Sequence, residues 1–177
     1  MQLAFAQGAA ATPQYDLESA YQEHHSMVFR TAYRVTGNSS DAEDVLQTVF
    51  LRLMKRDDSA PALEQPEGYL RRAAVNASID LLRERQRTGQ AILESLPASP
   101  VCTELRELRD ALRAAISKLD ARQAEMVALR FFEGYSNKEI AQMFGISQIL
   151  VAVTLHRAKS KLQKELVAYK TNDGGRQ

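Results

Sequence analysis

The chain has no tryptophan, one cysteine, five prolines and eight glycines in 177 residues. Few helix breakers, with abundant Ala, Leu, Arg and Glu, predict an all-α fold. Cys102 alone cannot close an intramolecular disulfide, which points to a reducing, cytoplasmic setting. No apolar run approaches the roughly 20 residues that span a bilayer. Residues 1–14 are Ala-rich but lack the basic start and long apolar stretch of a secretion signal, and read as a disordered leader. Catalytic motifs are missing as well. There is no phosphate-cradling Gly-rich loop, no nucleophile elbow and no metal-ligand spacing, so an enzyme is the weakest reading and neither cofactor nor metal is expected. His24 and His25 are adjacent, which turns their rings to different sides of a helix. Cys102 falls in a linker and reads as a bystander rather than a nucleophile.

Apolar residues are 45% and charged residues 25%, close to an ordinary soluble globular chain. The net charge of +1 hides an asymmetry. Residues 1–104 hold 10 Lys/Arg against 14 Asp/Glu, whereas residues 105–170 hold 12 against 7. A basic C-terminal part suits a polyanion and an acidic N-terminal part suits a protein partner, although two ordinary solvated surfaces would look the same.

Hydrophobic spacing divides the chain into two small helical domains, 15–87 and 104–168, with a flexible linker at 88–103 and a tail at 169–177. The first segment, from about Asp16 to Thr36, carries Leu17, Tyr21, Val28, Phe29, Ala32 and Tyr33 mainly at three- and four-residue steps. Gly37-Asn38 signals its end. The second segment opens on Ser40 with Glu43 three residues on, a capping-box pattern. Ala42, Val45, Leu46, Val49, Phe50, Leu53 and Met54 make its stripe. A loop with Pro61 and Pro66 is expected over 57–67. The third segment, Gly68 to about Arg87, buries Leu70, Ala73, Ala74, Ala77, Leu81 and Leu82 and presents Arg71, Arg72, Arg83, Arg85 and Arg87.

In the second domain, Leu105, Leu108, Leu112, Ala115, Ile116 and Leu119 stripe a first helix, and Asp120 caps the next, which Gly134 ends. The most informative stretch follows. Ser136 to Glu139 is a capping box; Ile140, Ala141, Met143 and Phe144 face inward; Gly145 supplies a positive-φ turn; Ile146 buries it; Ser147 caps a helix bearing Ile149, Leu150, Val153, Leu155, Ala158 and Leu162. Capped helix, Gly turn and capped helix together predict a DNA-docking helix-turn-helix. The run His156 to Lys164 contains no acid and suits phosphates.

Three ordered stretches, Asp41 to Leu53, Tyr69 to Arg83 and Leu119 to Ser136, resemble the bacterial sigma factors of the small two-domain extracytoplasmic-function type. The resemblance spans roughly Tyr15 to Val167. It implies a non-enzymatic transcription initiation factor that binds core RNA polymerase, recognises the minus-ten and minus-thirty-five promoter elements and helps open the duplex. By that resemblance Asp44, Gln47 and Phe50 meet the polymerase clamp. Tyr69, Arg72, Asn76, Asp80 and Arg83 meet the minus-ten DNA, where an Asn can pair with an unstacked base edge. Arg130, Gln148, His156, Arg157 and Lys159 meet the minus-thirty-five DNA.

The chain departs from the family pattern in two places. Tyr69 stands where the family usually has Trp. Leu150, Val151, Ala152, Val153 and Thr154 replace a stretch that commonly holds two cations. An exposed apolar strip there would read thymine methyls or pack on a protein, an anti-sigma factor or another protomer. Two other readings stay open: a dimeric helix-turn-helix regulator, and a sigma-like interaction protein with weakened promoter recognition.

Overall fold

The computed structural model describes residues 17–56, 65–89 and 100–173. The expected leader, most of the loop 57–67, the middle of the linker and the end of the tail lie outside the described residues, as does the side chain of Cys102. Seven helices and no strand occur among the described residues: α1 (Leu17–Thr36), α2 (Ser39–Met54), α3 (Pro66–Thr88), α4 (Pro100–Ser117), α5 (Ala121–Phe131), α6 (Asn137–Phe144) and α7 (Gln148–Asp173).

Helices α1 to α3 form one bundle. Val28 and Ala32 of α1, Val45 and Val49 of α2, and Leu70 and Ala74 of α3 close its core, each at most 1% exposed. Gly37 ends α1 at φ 82°, a conformation cheap only without a Cβ. The cap of α2 differs from the Ser40 capping box expected. Asn38, in extended conformation, accepts from Asp41 N at 2.7 Å, so the helix begins at Ser39. Asn caps as well as Ser, and this choice turns Asp41 inward, where Asn38 Nδ2 donates to it at 2.6 Å and Arg85 of α3 pairs with it. Met54, expected in the apolar stripe of α2, is 56% exposed.

Helix α3 begins at Pro66 rather than Gly68, because proline is tolerated where the first N–H groups have no helical partner anyway. It buries two faces rather than one. Leu70, Ala74 and Ala77 meet α1 and α2, while Val75, Ile79 and Leu82, at i, i+4 and i+7, join a second core. Ala73 and Leu81, expected inside, are half-buried.

That second core gathers Ile116, Met126, Leu129, Ile140, Val151 and Leu155 from α4 to α7. Helix α4 starts at Pro100, inside the expected linker, and α7 runs to Asp173, into the expected tail. The stripe predicted for α4 is buried only in its second half; Leu105 and Leu108 are exposed. Asp120 caps α5 by accepting from Gln123 N, and Ser136 and Glu139 form the expected reciprocal capping box on α6. Gly145 turns the chain at φ 61°, Ser147 Oγ accepts from Leu150 N at 3.2 Å, and α7 leaves α6 bent by 106°. This is helix-turn-helix geometry. The two domains are not separate beads: Val35 of α1 and Val75, Ile79 and Leu82 of α3 belong to the same core as α4 to α7.

Candidate functional site

The basic row expected on α3 is present, and other protein groups occupy it. Arg71 Nη1 donates to Glu133 Oε2 at 2.7 Å, and Arg71 Nη2 to Glu67 Oε1 at 2.5 Å. Burial disfavours the Arg71 cation, but the two carboxylates more than offset this and its pKa is raised. Arg72 Nε donates to Glu125 Oε1 at 2.7 Å and Nη1 to the Met143 carbonyl at 3.0 Å, with its guanidinium 4.4 Å from the Phe144 ring centre. Arg83 donates to the carbonyls of Ser117 and Leu119 at 3.2 and 3.0 Å. Arg85 is turned to Asp41, and Arg87 to Glu84 on its own helix.

Glu133 is the centre of this arrangement. Its carboxylate is fully buried and accepts from Thr31 Oγ1 at 3.1 Å, Arg34 Nη1 at 3.1 Å and Arg71 Nη1 at 2.7 Å. Tyr135, two residues on, lies 5.9 Å from the Arg71 guanidinium; burial raises its hydroxyl pKa and the cation partly opposes this.

The remaining residues expected at the minus-ten face are spread along α3. Tyr69 is 41% exposed, with the Arg56 guanidinium 5.7 Å from its ring centre. Asn76 is half-buried, and Asp80 is exposed, 3.6 Å from Arg83 Nη1. On α2, Asp44 and Gln47 are exposed, whereas Phe50 is largely inside, edge-on to the exposed Tyr21 at 4.9 Å. Leu17, Tyr21, Gln22 and Phe50 line a shallow apolar groove beside them.

The outer face of α7 is open. Gln148, His156, Arg157 and Lys159 are exposed, and Ile149, Leu150 and Val153 stand among them at 78%, 47% and 40% exposure. Val151 faces inward, so it leaves the apolar strip read from the sequence. Arg130, expected at DNA, donates to the Tyr135 carbonyl at 2.8 Å and braces the turn before α6. Glu125 and Glu133 were not foreseen. They lie 53 and 62 positions from their arginines, and local spacing carries no trace of such pairs. Glu125 alone left a sign, a carboxylate amid Ala124, Met126 and Val127.

His25 Nδ1 lies 2.9 Å from the Tyr21 carbonyl, and no cluster of metal-ligating side chains occurs among the described residues. No single helix among them is long and apolar enough to cross a membrane.

Family models agree with this two-part arrangement. Residues 20–88 match Sigma-70 region 2 and residues 109–162 match Sigma-70, region 4. The chain is 32% identical over 155 residues to RNA polymerase sigma-E factor of Streptomyces coelicolor, covering 86% of this chain and 87% of that one. It is 28% identical over 165 residues to ECF RNA polymerase sigma factor SigL of Mycobacterium tuberculosis, covering 90% and 93%. Among solved structures, the sigma factor RpoE in complex with the anti-sigma factor NepR from Bartonella quintana aligns with a TM-score of 0.48 and 20% identity, over 85% of this chain and 96% of that one. A capped helix-turn-helix, the arginine-rich α3 and the two ordered matches lead to one assignment: the chain belongs to the extracytoplasmic-function RNA polymerase sigma factors, the alternative subunits that bring core polymerase to promoter DNA.

Proposed function

We propose that three surfaces divide the work of this sigma factor. The outer face of α2, through Asp44 and Gln47 with the Tyr21–Phe50 groove beside them, takes the polymerase clamp. Helix α3 takes the unwound minus-ten strand. Tyr69 stacks on a base, Asn76 and Asp80 read base edges, and Arg72 and Arg83 hold backbone phosphates. Helix α7 enters the major groove of the minus-thirty-five element with Gln148, His156, Arg157 and Lys159. The work is that of an initiation factor in the cytoplasm, and the polymerase carries out the chemistry. The functional division follows 15–87 and 104–168.

The observation that carries this reading is the arginine row of α3, a set of cations on one helix beside an exposed aromatic and a half-buried Asn. Run-off transcription with core polymerase over a promoter library tests it. Promoter-specific products are expected from the natural chain, and their loss from Asn76→Ala. No promoter-specific product from folded protein would overturn it.

One observation favours a second reading for α7. Ile149, Leu150 and Val153 give it a contiguous apolar face in place of cations, and this suits a protein cover as well as thymine methyls. Footprinting over the minus-thirty-five element separates the two.

A further inference from the structure

Helix α7 is apolar where it would meet bases and basic where it would meet backbone. Val151, Leu155, Ala158 and Leu162 face the core, and Ile149 and Val153 stand on the opposite side of the helix. Farther along, Arg157 is exposed on one flank of that outward line and Lys159 on the other. The first two turns thus form an apolar ridge, followed by a cation on each side. A major groove offers the matching arrangement, base edges on its floor and a phosphate wall on either hand. We infer that α7 reads the minus-thirty-five element through the C5-methyl groups of thymine, with Ile149 and Val153 as the specificity-determining side chains. The inference rests on the reading of α7 as the minus-thirty-five helix given above.

The polar groups of the same face point to the same base pair. No Arg or Lys occurs over residues 148–155, so the first two turns hold no cation to read guanine. The hydroxyls beside the ridge give their protons to carbonyls within α7: Thr154 Oγ1 to Leu150 at 2.7 Å and Ser160 Oγ to His156 at 3.2 Å. Gln148 is the exposed amide of the first turn, and a Gln side chain matches the major-groove edge of adenine. A methyl contact and a Gln pair therefore select an A·T pair from its two strands. Charge favours DNA over a protein cover. Residues 148–164 hold four Lys/Arg and no acid, which suits a polyanion. Ile149, Leu150 and Val153 are also few against the roughly 20–30 residues a side of a stable protein interface.

The test uses the full chain as holoenzyme with core polymerase. Promoter duplexes randomised over both elements are selected for binding, and the minus-thirty-five stretch is expected to emerge rich in A·T pairs. The selected duplex is then made with deoxyuridine in place of thymidine over that stretch. This removes the methyls and keeps every hydrogen-bonding group of the bases. Binding by the natural chain is expected to weaken about fourfold for each contacted methyl. Ile149→Ala/Val153→Ala is expected to weaken binding to the thymidine duplex to a similar degree, and to respond less than about twofold to deoxyuridine. Leu105→Ala, at an exposed apolar position on α4, is expected to keep the full deoxyuridine loss. Ile149 and Val153 are exposed, so the double variant is expected to fold, and a near-unchanged urea midpoint checks this.

Equal binding of the two duplexes by the natural chain overturns the inference, as does a selected stretch of G·C pairs. A deoxyuridine loss that persists undiminished in Ile149→Ala/Val153→Ala overturns it too, because the loss then comes from DNA shape rather than from these side chains. Promoter affinity unchanged in the double variant overturns it in favour of a protein cover on the same face. Failure of the α7 reading looks different. In that case the natural chain would select no sequence over the minus-thirty-five stretch, Arg157→Ala would leave promoter affinity intact, and the inference would fall with the reading.

Discussion

Arg72 Nε donates to Glu125 Oε1 at 2.7 Å although 53 residues of chain separate them. The same guanidinium reaches the Met143 carbonyl and packs on Phe144, so one side chain of α3 ties together α5 and the end of α6. Arg72→Ala is expected to destabilise the free chain by about 1–2 kcal/mol. A fully buried pair would lose more, but the Arg72 side chain is 34% exposed and water screens part of the effect. Arg72→Lys should recover only part of the loss, since an ammonium cannot make the planar set of contacts. Urea unfolding checks this, and equal midpoints for Arg72→Ala and the natural chain would refute it.

Gly37 sits at φ 82°, and a Cβ built there would collide with the Arg113 guanidinium. Arg113 Nε donates across the seam to the Val35 carbonyl at 3.2 Å. Gly37→Ala is therefore expected to cost about 1–2 kcal/mol through backbone strain alone, and to loosen the seam by displacing Arg113. Thermal unfolding should fall by several degrees. Gly89→Ala makes the contrast: its φ is 67° but nothing lies within 4 Å of the added Cβ, so strain appears without loss of the seam. Equal losses of thermal stability in the two variants would argue against a role for Arg113.

Much of the fold was legible in the sequence because its helices declare their ends. Gly145 and the Ser136–Glu139 capping box fixed α6 and its turn. The cap of α2 was misread by two residues, Ser40 for Asn38, because Asn38, taken as part of a helix end, caps the next helix instead. The closed seam was not legible as such. Val75, Ile79 and Leu82 do fall at helical spacing, but the stronger stripe on the opposite face accounts for α3 as an ordinary amphipathic helix. Which face a second stripe meets depends on contacts distant in sequence, and so do the partners of Arg71, Arg72 and Arg83. The outer face of α7 was legible as a departure from the family pattern, and only the structure removed Val151 from it.

The buried Asp41 gives a pH dependence of defined sign. Burial raises its pKa above 3.8, while Asn38 and Arg85 pull the other way. A carboxyl with a raised folded-state pKa takes up protons on folding, so its contribution is most favourable at acid pH. That contribution is lost as pH rises from about 3.8 through the raised value. Asp41→Asn, which stays neutral, should lack this slope. The variant is expected to be less stable than the natural chain near pH 3.5, with the gap narrowing by pH 6.5. Urea midpoints at the two values decide it, and a gap that widens with pH would contradict the assignment.

Glu139 has the opposite sign. Hydrogen bonds from the Ser136 hydroxyl and backbone N–H hold its carboxyl below 4.5. A lowered folded-state pKa gives stability that is present above about 4.5 and lost as pH falls through the lower value. Ser136→Ala removes the cap and should cost about 0.5–2 kcal/mol at neutral pH. It should also shift the Glu139 titration back toward 4.5, which carboxyl chemical shifts would follow. A titration unchanged in Ser136→Ala would mean that the backbone N–H alone sets the shift.

The apolar face of α7 yields a prediction about salt. Ile149 and Val153 lie on the side of the helix opposite the buried Val151, Leu155, Ala158 and Leu162, flanked by His156 and Arg157. Each phosphate contact contributes roughly 0.9 to the slope of log affinity against log salt. Arg157→Ala should lower the slope for promoter binding by the holoenzyme by about that amount. Ile149→Arg and Val153→Lys should each raise it by up to about that amount, with stability changed by about 0.5 kcal/mol or less because both side chains are exposed. If instead the face packs on a protein, the two substitutions would leave promoter binding unimproved and disrupt that complex. Measuring the slope over 50–200 mM salt for the natural chain and the three variants distinguishes a helix short of phosphate contacts from one whose apolar side serves another purpose.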